Sequence, residues 1–274
     1  MRTASLEAVT INVCVAGATG WAGRPIAEAI RTSDDLVLRS AVSRSAAGTD
    51  LGAAWGGEEV GVTVRGSVAD ALDGVDVLVD YTSDEAVRTN TLAALDRGVS
   101  VVIGTSGLSA DDFADIERAA TETGVGVVAA GNFSLTAAMA QAAALLVARH
   151  LPYREVIDYA SAGKPDAPSG TAQELAERLS EVTPNSVDVP IDQTRGRVEA
   201  RGTTVAGTQV HSLRLPSFVV STEVLFALPD ERLSIRHDAG GTPVPYVGGT
   251  LLAVRAVVGR VGLTRGLDTL LLAG

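Results

Sequence analysis

Five short apolar runs constrain this chain more than any other feature: "INVCVA" (11–16), "LVLRSAV" (36–42), "VDVLVD" (75–80), "VSVVIG" (99–104) and "VGVVAAG" (125–131). Most are nearly continuous in Val, Ile and Leu. A strand with one wet face would alternate apolar and polar residues, so these runs read as strands buried on both sides. Helical patterns separate most of them, among them "GRPIAEAI", "DEAVRTNTLAALDRG" and "LSADDFADIERAATETG". Strand–helix alternation of this kind predicts an α/β fold, a doubly wound parallel sheet covered by helices. In such sheets ligands collect at the carboxyl ends of the strands.

The first strand runs into "GATGWAGRP", in which Gly17, Gly20 and Gly23 lead to a helix and Thr19, Trp21 and Ala22 fill the loop. Glycines at a strand–helix junction let backbone N–H groups approach a pyrophosphate where the helix dipole also favours negative charge. The spacing is a weak signal by itself, but the strand before it and the helix after it are what a dinucleotide site requires. Ser43 lies 20 residues after Gly23, where an NAD site usually places a carboxylate on the ribose. Here a hydroxyl stands there and Arg44 follows, a pairing suited to a 2′-phosphate and so to NADPH over NADH. The competing reading makes Arg44 an exposed loop residue with no ligand, and NADH stays possible. The other strand tips add Thr82, then Gly104, Thr105 and Ser106, then Gly131, Asn132 and Phe133 as candidate lining of a cofactor crevice.

The pattern changes after Phe133. A long apolar helix "SLTAAMAQAAALLVARHL" is followed by a strand "REVIDYAS", a loop "AGKPDAPSG" and a helix "AQELAERLSEV". From about residue 205 several strands follow, and "TEVLFAL" and "ERLSIRH" flank Pro229–Asp230 as a hairpin. The tail from "YVGGTLLAV" reads as helical and apolar, packing back on the first domain. These elements predict an α+β C-terminal domain with an open mixed sheet, giving a dinucleotide-binding domain of residues 1–133 and 243–274 and a second domain of residues 134–242. In the loop, Lys164 precedes Ser169, Gly170 and Thr171 at a helix start, a set able to hold a carboxylate from several sides. Thr171 and Glu174 have capping-box spacing. A capped helix beside a solvated lysine is the bland alternative.

Composition narrows the function classes. A net charge of −11 and an acidic pI near 4.7 disfavour nucleic-acid binding, which needs a basic surface. The single cysteine, Cys14, excludes an internal disulfide and sits in a strand pattern as a buried, inert thiol. No stretch reaches the ~20 apolar residues of a membrane span, and "MRTASLEAVT" is too polar for a signal peptide, reading as a loose extension. A soluble cytoplasmic protein is the simplest expectation.

Taken together, "VAGATGWAG", "VDVLVDYTS", "VVIGTSGLS", "GNFS", "KPDAPSGTA", "EARGTTVAGTQVHSLRL" and "EVLFALPDERLSIRHDA" resemble the dihydrodipicolinate reductase family of lysine and diaminopimelate biosynthesis. The stretches occur in family order over nearly the whole chain. The resemblance implies a Rossmann-like first domain, a second domain that binds substrate and assembles a homotetramer through its open sheet, and NADPH (or NADH) as cofactor. It places the pyrophosphate on Gly17, Gly20 and Gly23, the adenosine side on Arg44, and the nicotinamide near Gly104, Thr105, Ser106, Asn132 and Phe133. It places a carboxylate of a cyclic imine on Lys164, Ser169, Gly170 and Thr171.

The chain also departs from the family. Where members carry a His-His pair, with the first histidine taken as proton donor, this sequence has Ala160 and Ser161, after Asp158 in the acidic position. Trp21 stands where a basic residue often contacts phosphate, and Ser221 where many members have histidine. A methyl group donates no proton, and Lys164 becomes the catalytic candidate, with Tyr159 a more distant one; His150, His211 and His237 read as structural. Three functions follow: the lysine-pathway reductase working without its histidines, a divergent imine reductase of secondary metabolism, and a cofactor-binding protein without turnover.

Overall fold

The computed structural model describes residues 10–272; the polar extension at residues 1–9 lies outside the described residues. In chain order the elements are β1 (Ile11–Ala16), α1 (Gly23–Arg31), β2 (Leu36–Val42), α2 (Leu51–Ala54), β3 (Val64–Arg65), β4 (Val77–Asp80), α3 (Asp84–Leu95), β5 (Ser100–Ile103), α4 (Ala110–Thr123), β6 (Gly126–Ala129), α5 (Leu135–Ala148), β7 (Tyr153–Ala160), α6 (Gly170–Val182), β8 (Thr203–Val205), β9 (Thr208–Arg214), β10 (Val220–Leu228), β11 (Glu231–Asp238), α7 (Val244–Val257), β12 (Gly262–Arg265) and α8 (Leu267–Leu272). The chain forms two compact units, one of residues up to 134 with those from 243 onward, the other of residues 135–242.

In the first unit seven parallel strands lie in the order β12-β6-β5-β4-β1-β2-β3. Every residue of β4, β5 and β6 is buried, which is why those strands read as unbroken apolar runs. Helix α1 turns Ile26, Ala27 and Ile30 inward at helical spacing. Ser109 and Asp112 close a capping box at the start of α4, and Gly124, at φ +70°, ends it. From β1 the chain builds outward in both directions, so the order reverses between β1 and β4.

The tail is not helical throughout. Val258 is extended after α7, and Gly259 and Gly262 take φ of +80° and +82°, a region that L side chains avoid. β12 then pairs in parallel with β6 and becomes an edge of the sheet. The apolar residues of the tail fit either period, and pairing with a strand more than 130 residues earlier decides between them.

The second unit is a five-stranded sheet in the order β11-β10-β7-β9-β8, antiparallel except for the β7–β9 pair. It is therefore mixed, and β10 and β11 form the expected hairpin, with Asp230 at φ +66° in its turn. Helices α5 and α6 cover one face around Ala144, Val156, Leu175, Leu179, Val210 and Phe226. Strand β7 alternates strictly: Arg154, Val156, Asp158 and Ala160 are buried, while Glu155, Ile157 and Tyr159 are half-buried on the other face. Among the described residues no helix is long and apolar enough to cross a membrane.

Candidate active site

In the first unit the candidate residues gather along one edge of the sheet, because each follows the carboxyl end of a parallel strand. The glycine loop follows β1, Ser43 and Arg44 follow β2, Thr82 follows β4, Gly104–Ser106 follow β5 and Gly131–Phe133 follow β6. The loop is tightly wound. Gly17 has φ +81°, and a Cβ there would lie 2.3 Å from the Tyr81 carbonyl oxygen. A Cβ on Gly23 would lie 2.1 Å from the Gly17 carbonyl oxygen, and one on Gly20 3.1 Å from the same atom. Helix α1 starts with Ala22 at its cap position and no side-chain cap. An uncapped helix start beside the order reversal of the sheet suits a pyrophosphate, since no side chain competes for its N–H groups.

At the end of β2, Ser43 Oγ lies 2.7 Å from Thr19 Oγ1 and 3.3 Å from Ser45 Oγ. Arg44 is exposed at the start of a short 3-10 turn. Trp21 is 56% exposed and meets the Tyr246 ring edge-on at 5.9 Å. Phe133 is buried, with its ring 6.2 Å from that of Tyr81, so its side chain supports the edge from below. Asn132 Oδ1 accepts from the Ser134 N–H at 2.8 Å and shapes the turn after β6.

Asp80, which the sequence reading passed over, organises this edge. It ends β4 fully buried. Its Oδ1 accepts from Thr82 N at 2.9 Å, Thr82 Oγ1 at 2.6 Å and Thr105 Oγ1 at 3.0 Å, and its Oδ2 from Asn90 Nδ2 at 2.8 Å. Two strand tips are thereby tied to one carboxylate. The available signal was an acid closing an otherwise apolar buried run. Tyr81 packs under Gly104, where a Cβ would fall 2.1 Å from the ring, and Tyr81 Oη lies 2.9 Å from Thr250 Oγ1. Burial raises the Tyr81 phenol well above its usual range. Cys14 is fully buried and its thiol is pushed up to about 12, chiefly by desolvation, so it is inert as expected.

In the second unit the carboxylate turn is built around Asp158. This fully buried carboxylate accepts from Ser169 N at 2.9 Å, Ser169 Oγ at 2.6 Å, Ser212 Oγ at 3.0 Å and Arg214 Nη2 at 2.8 Å. Arg214 also donates to the Asp166 carbonyl at 2.6 Å, so one guanidinium clamps strand and loop together. Burial acts to raise the Asp158 pKa, but the hydrogen bonds from Ser169, Arg214 and Ser212 outweigh it and hold the carboxyl below its usual range. Ser169 is consequently buried, and its hydroxyl and N–H are both committed to Asp158. It is also the N-cap of α6, accepting from Ala172 N at 3.3 Å. That corrects the capping box read from Thr171 and Glu174: the helix is capped by Ser169, two residues before the position that box needs. Glu174 is instead buried on α6, 3.8 Å from Arg178. Gly170 and Thr171 form the first helical turn, and Lys164 Nζ lies 2.9 Å from Asp166 Oδ1.

Strand alternation places Ala160, fully buried, on the same face as Asp158. Tyr159 lies on the opposite face and donates to Glu223 Oε2 at 2.9 Å, with the Arg236 guanidinium 4.7 Å over its ring. Burial and Glu223 together raise its pKa, so it is held in a packing network. His211 Nε2 lies 2.8 Å from Glu155 Oε2 and His150 is exposed just after α5. His237 differs: it lines a small cavity together with Thr171.

The chain is similar to known proteins over nearly its whole length. The profile described as dihydrodipicolinate reductase, N-terminus, matches residues 11–133, and the one described as dihydrodipicolinate reductase, C-terminus, matches residues 131–271. A 4-hydroxy-tetrahydrodipicolinate reductase from Moorella thermoacetica is 36% identical over 264 residues, covering 96% of this chain and 98% of that protein. One from Thermosynechococcus vestitus is 33% identical over 268 residues, covering 95% and 97%. Among solved structures, the dipicolinate-bound dihydrodipicolinate reductase from Paenisporosarcina sp. TG-14 superposes with a TM-score of 0.76 at 25% identity, covering 95% of this chain and 99% of that one. An amine dehydrogenase from Mycobacterium smegmatis, at 14% identity and a TM-score of 0.63, shares the fold. With both profiles matched in order and full-length relatives above 30% identity, the chain belongs to the dihydrodipicolinate reductase family.

Proposed function

We propose that this protein is an NAD(P)H-dependent oxidoreductase that reduces 4-hydroxy-tetrahydrodipicolinate, a cyclic imine carboxylate, in lysine and diaminopimelate biosynthesis. Family membership supports the reaction class. The observation that carries the substrate class is the turn at Ser169–Thr171, held by a buried carboxylate and followed by a helix start, with Lys164 in the same loop. A turn so rigidly anchored presents its N–H groups in a fixed array suited to a carboxylate.

The glycine loop fits a dinucleotide, since side chains on Gly17 or Gly23 would collide with backbone and the helix beyond carries no competing cap. Gly17, Thr19, Gly20, Trp21, Ala22 and Gly23 would hold its pyrophosphate. Ser43 and Arg44 would hold the adenosine side, and Thr82, Gly104, Thr105, Ser106, Gly131, Asn132 and Phe133 would line the nicotinamide end. The cofactor, when bound, supplies a hydride. Arg44 beside a hydroxyl in place of a ribose-binding acid favours NADPH. Lys164 and the N–H groups of Gly170 and Thr171 grip the carboxylate, and Ser169 shapes the turn from beneath. Lys164 is also positioned to deliver a proton, directly or through water, in place of the family's histidine. The unit of residues up to 134 with 243 onward takes the cofactor role, and residues 135–242 the substrate and assembly roles, as a homotetramer.

A second reading rests on the buried Ala160 and on Ser161, which leave the histidine positions without a donor: a divergent reductase of another cyclic imino acid. One assay separates the two. NADPH oxidation is followed with freshly generated 4-hydroxy-tetrahydrodipicolinate beside a control without substrate. Enzyme-dependent oxidation supports the lysine-pathway activity. Cofactor binding with no oxidation overturns it and directs the assay to other cyclic imines, and failure with all of them leaves a cofactor-binding protein without turnover.

A further inference from the structure

His237 stands apart from the other two histidines because of what surrounds it. A cavity of about 20 Å3, room for roughly one water, lies within the second unit, and its polar lining is Gln141, Thr171, Thr222 and His237. Thr171 belongs to the carboxylate turn. Thr222 Oγ1 is buried and meets no hydrogen-bond partner among the described residues, and buried hydroxyls are nearly always satisfied by protein, water or ligand. The cavity is walled mostly by Ala137, Ala140, Leu175, Val224 and Ile235, and Thr171 of the turn shares this small space of low polarity with the imidazole. Its ring is oriented by Thr136, whose Oγ1 lies 3.0 Å from His237 Nε2.

Helix α5 contains no charged residue. The one charge of β10, Glu223, is turned to the other face of the sheet, where Tyr159 and Ser234 donate to it. On β11, Asp238 is bonded bidentately by Arg236. On α6, Glu174 lies 3.8 Å from Arg178 and accepts from Gln141 of the cavity wall at 3.4 Å, and Lys164 and Asp166 pair in the loop. Burial therefore dominates and disfavours the charged imidazolium, against a smaller opposing pull from Asp238. A carboxylate arriving at the turn would be the largest change in field that the ring meets, and a nearby negative charge favours the protonated form.

We propose that His237 is the proton-loading group of the carboxylate site: neutral in the free protein, it takes up one proton when a carboxylate occupies the turn at Gly170–Thr171. It then holds that proton across the cavity from Thr171, in a chain with Ala160 and Ser161 where the family resemblance implies histidines. The inference rests on the reading of the turn as the carboxylate grip. His237 is a positioning residue in this role, acting through the cavity and Thr171.

The test uses the full chain with NADPH present and dipicolinate (pyridine-2,6-dicarboxylate) as the probe. Calorimetric titrations between about pH 6 and 7.5, the histidine range, in buffers of different ionisation enthalpy give the protons taken up per dipicolinate bound. The wild type is expected to take up close to one near neutral pH, and His237→Gln none, with its dipicolinate affinity no longer rising as pH falls. His211→Gln, altered on the opposite face, is expected to match the wild type. Because His237→Gln could unfold the cavity, the wild type is also titrated by NMR. The chain has 3 histidines, and one C2–H signal is expected to move to a higher titration midpoint when dipicolinate binds. Binding without proton uptake, or with no histidine signal shifted, overturns the proton assignment and leaves the grip intact. Failure of the wild type to bind dipicolinate overturns the grip and the inference with it.

Discussion

Replacing Asp158 by asparagine is expected to destabilise the second unit and loosen the carboxylate turn together. Asp158 is fully buried and receives four hydrogen bonds, three on Oδ2 from Ser169 N, Ser212 Oγ and Arg214 Nη2, and one on Oδ1 from Ser169 Oγ. An amide oxygen in the Oδ2 position keeps the first three in weakened, uncharged form. The amide N–H2 then faces a serine hydroxyl that already accepts from Ala172 N. The larger loss is electrostatic, since the Arg214 side chain, only 16% exposed, is left without a counter-charge. Breaking such a buried pair costs about 3–5 kcal/mol, and the retained dipoles favour the lower end, about 3 kcal/mol. For a unit of this size each kcal/mol moves the midpoint by roughly 4 °C, so scanning calorimetry should show that transition lower by about 12 °C. Dipicolinate affinity should fall about tenfold or more while NADPH affinity stays the same, because the cofactor loop lies in the other unit. The sign with pH follows from the depressed carboxyl. Its contribution is fully present above the unfolded value, about 3.9, and is lost as pH falls through the lower folded value. The gap between wild type and variant should thus be undiminished at pH 5 and close only below about pH 4. A variant that melts within about 2 °C of the wild type and binds dipicolinate equally well would show that Asp158 does not hold the turn.

Three further substitutions test other parts of the site. Gly23→Ala puts a Cβ 2.1 Å from the Gly17 carbonyl oxygen, and overpacking of this kind costs about 1–3 kcal/mol; NADPH affinity by fluorescence titration should drop at least tenfold, and an unchanged value would remove the loop from the cofactor site. Arg44→Ala should weaken NADPH about tenfold, the scale of one charge-assisted hydrogen bond, and leave NADH nearly unaffected; equal losses would undo the 2′-phosphate assignment. Lys164→Ala should lower turnover by roughly 10²–10⁴, the range for loss of a general acid, with NADPH affinity intact; unchanged turnover would take Lys164 out of the reaction.

What the sequence determined by itself was local. The need for glycine at positions 17 and 23 arises from atoms a few residues away or on the adjoining strand tip, and a strand–glycine–helix junction announces it directly. Strands β4, β5 and β6 were legible because burial on both faces leaves no polar alternative along the run. That the end of β7 offers Ala160 and Ser161 and no imidazole was legible from residue type alone. Other features depended on partners far along the chain. Asp158 is bonded by Ser169 from 11 residues away and by Arg214 from 56, and these contacts hold Ser169, the N-cap of α6, in place. Thr105 reaches Asp80 across 25 residues, joining two strand tips that read as separate polar loops. The tail's strand exists because β6 offers it an unpaired edge; as sequence, its apolar residues suited a helix as well. His237 looked like any strand histidine until folding placed it on the same cavity as Thr171. Backbone conformation and burial period are set by neighbours in sequence, but hydrogen-bond partners and dielectric surroundings are set by neighbours in space, and only the tertiary structure brings those together.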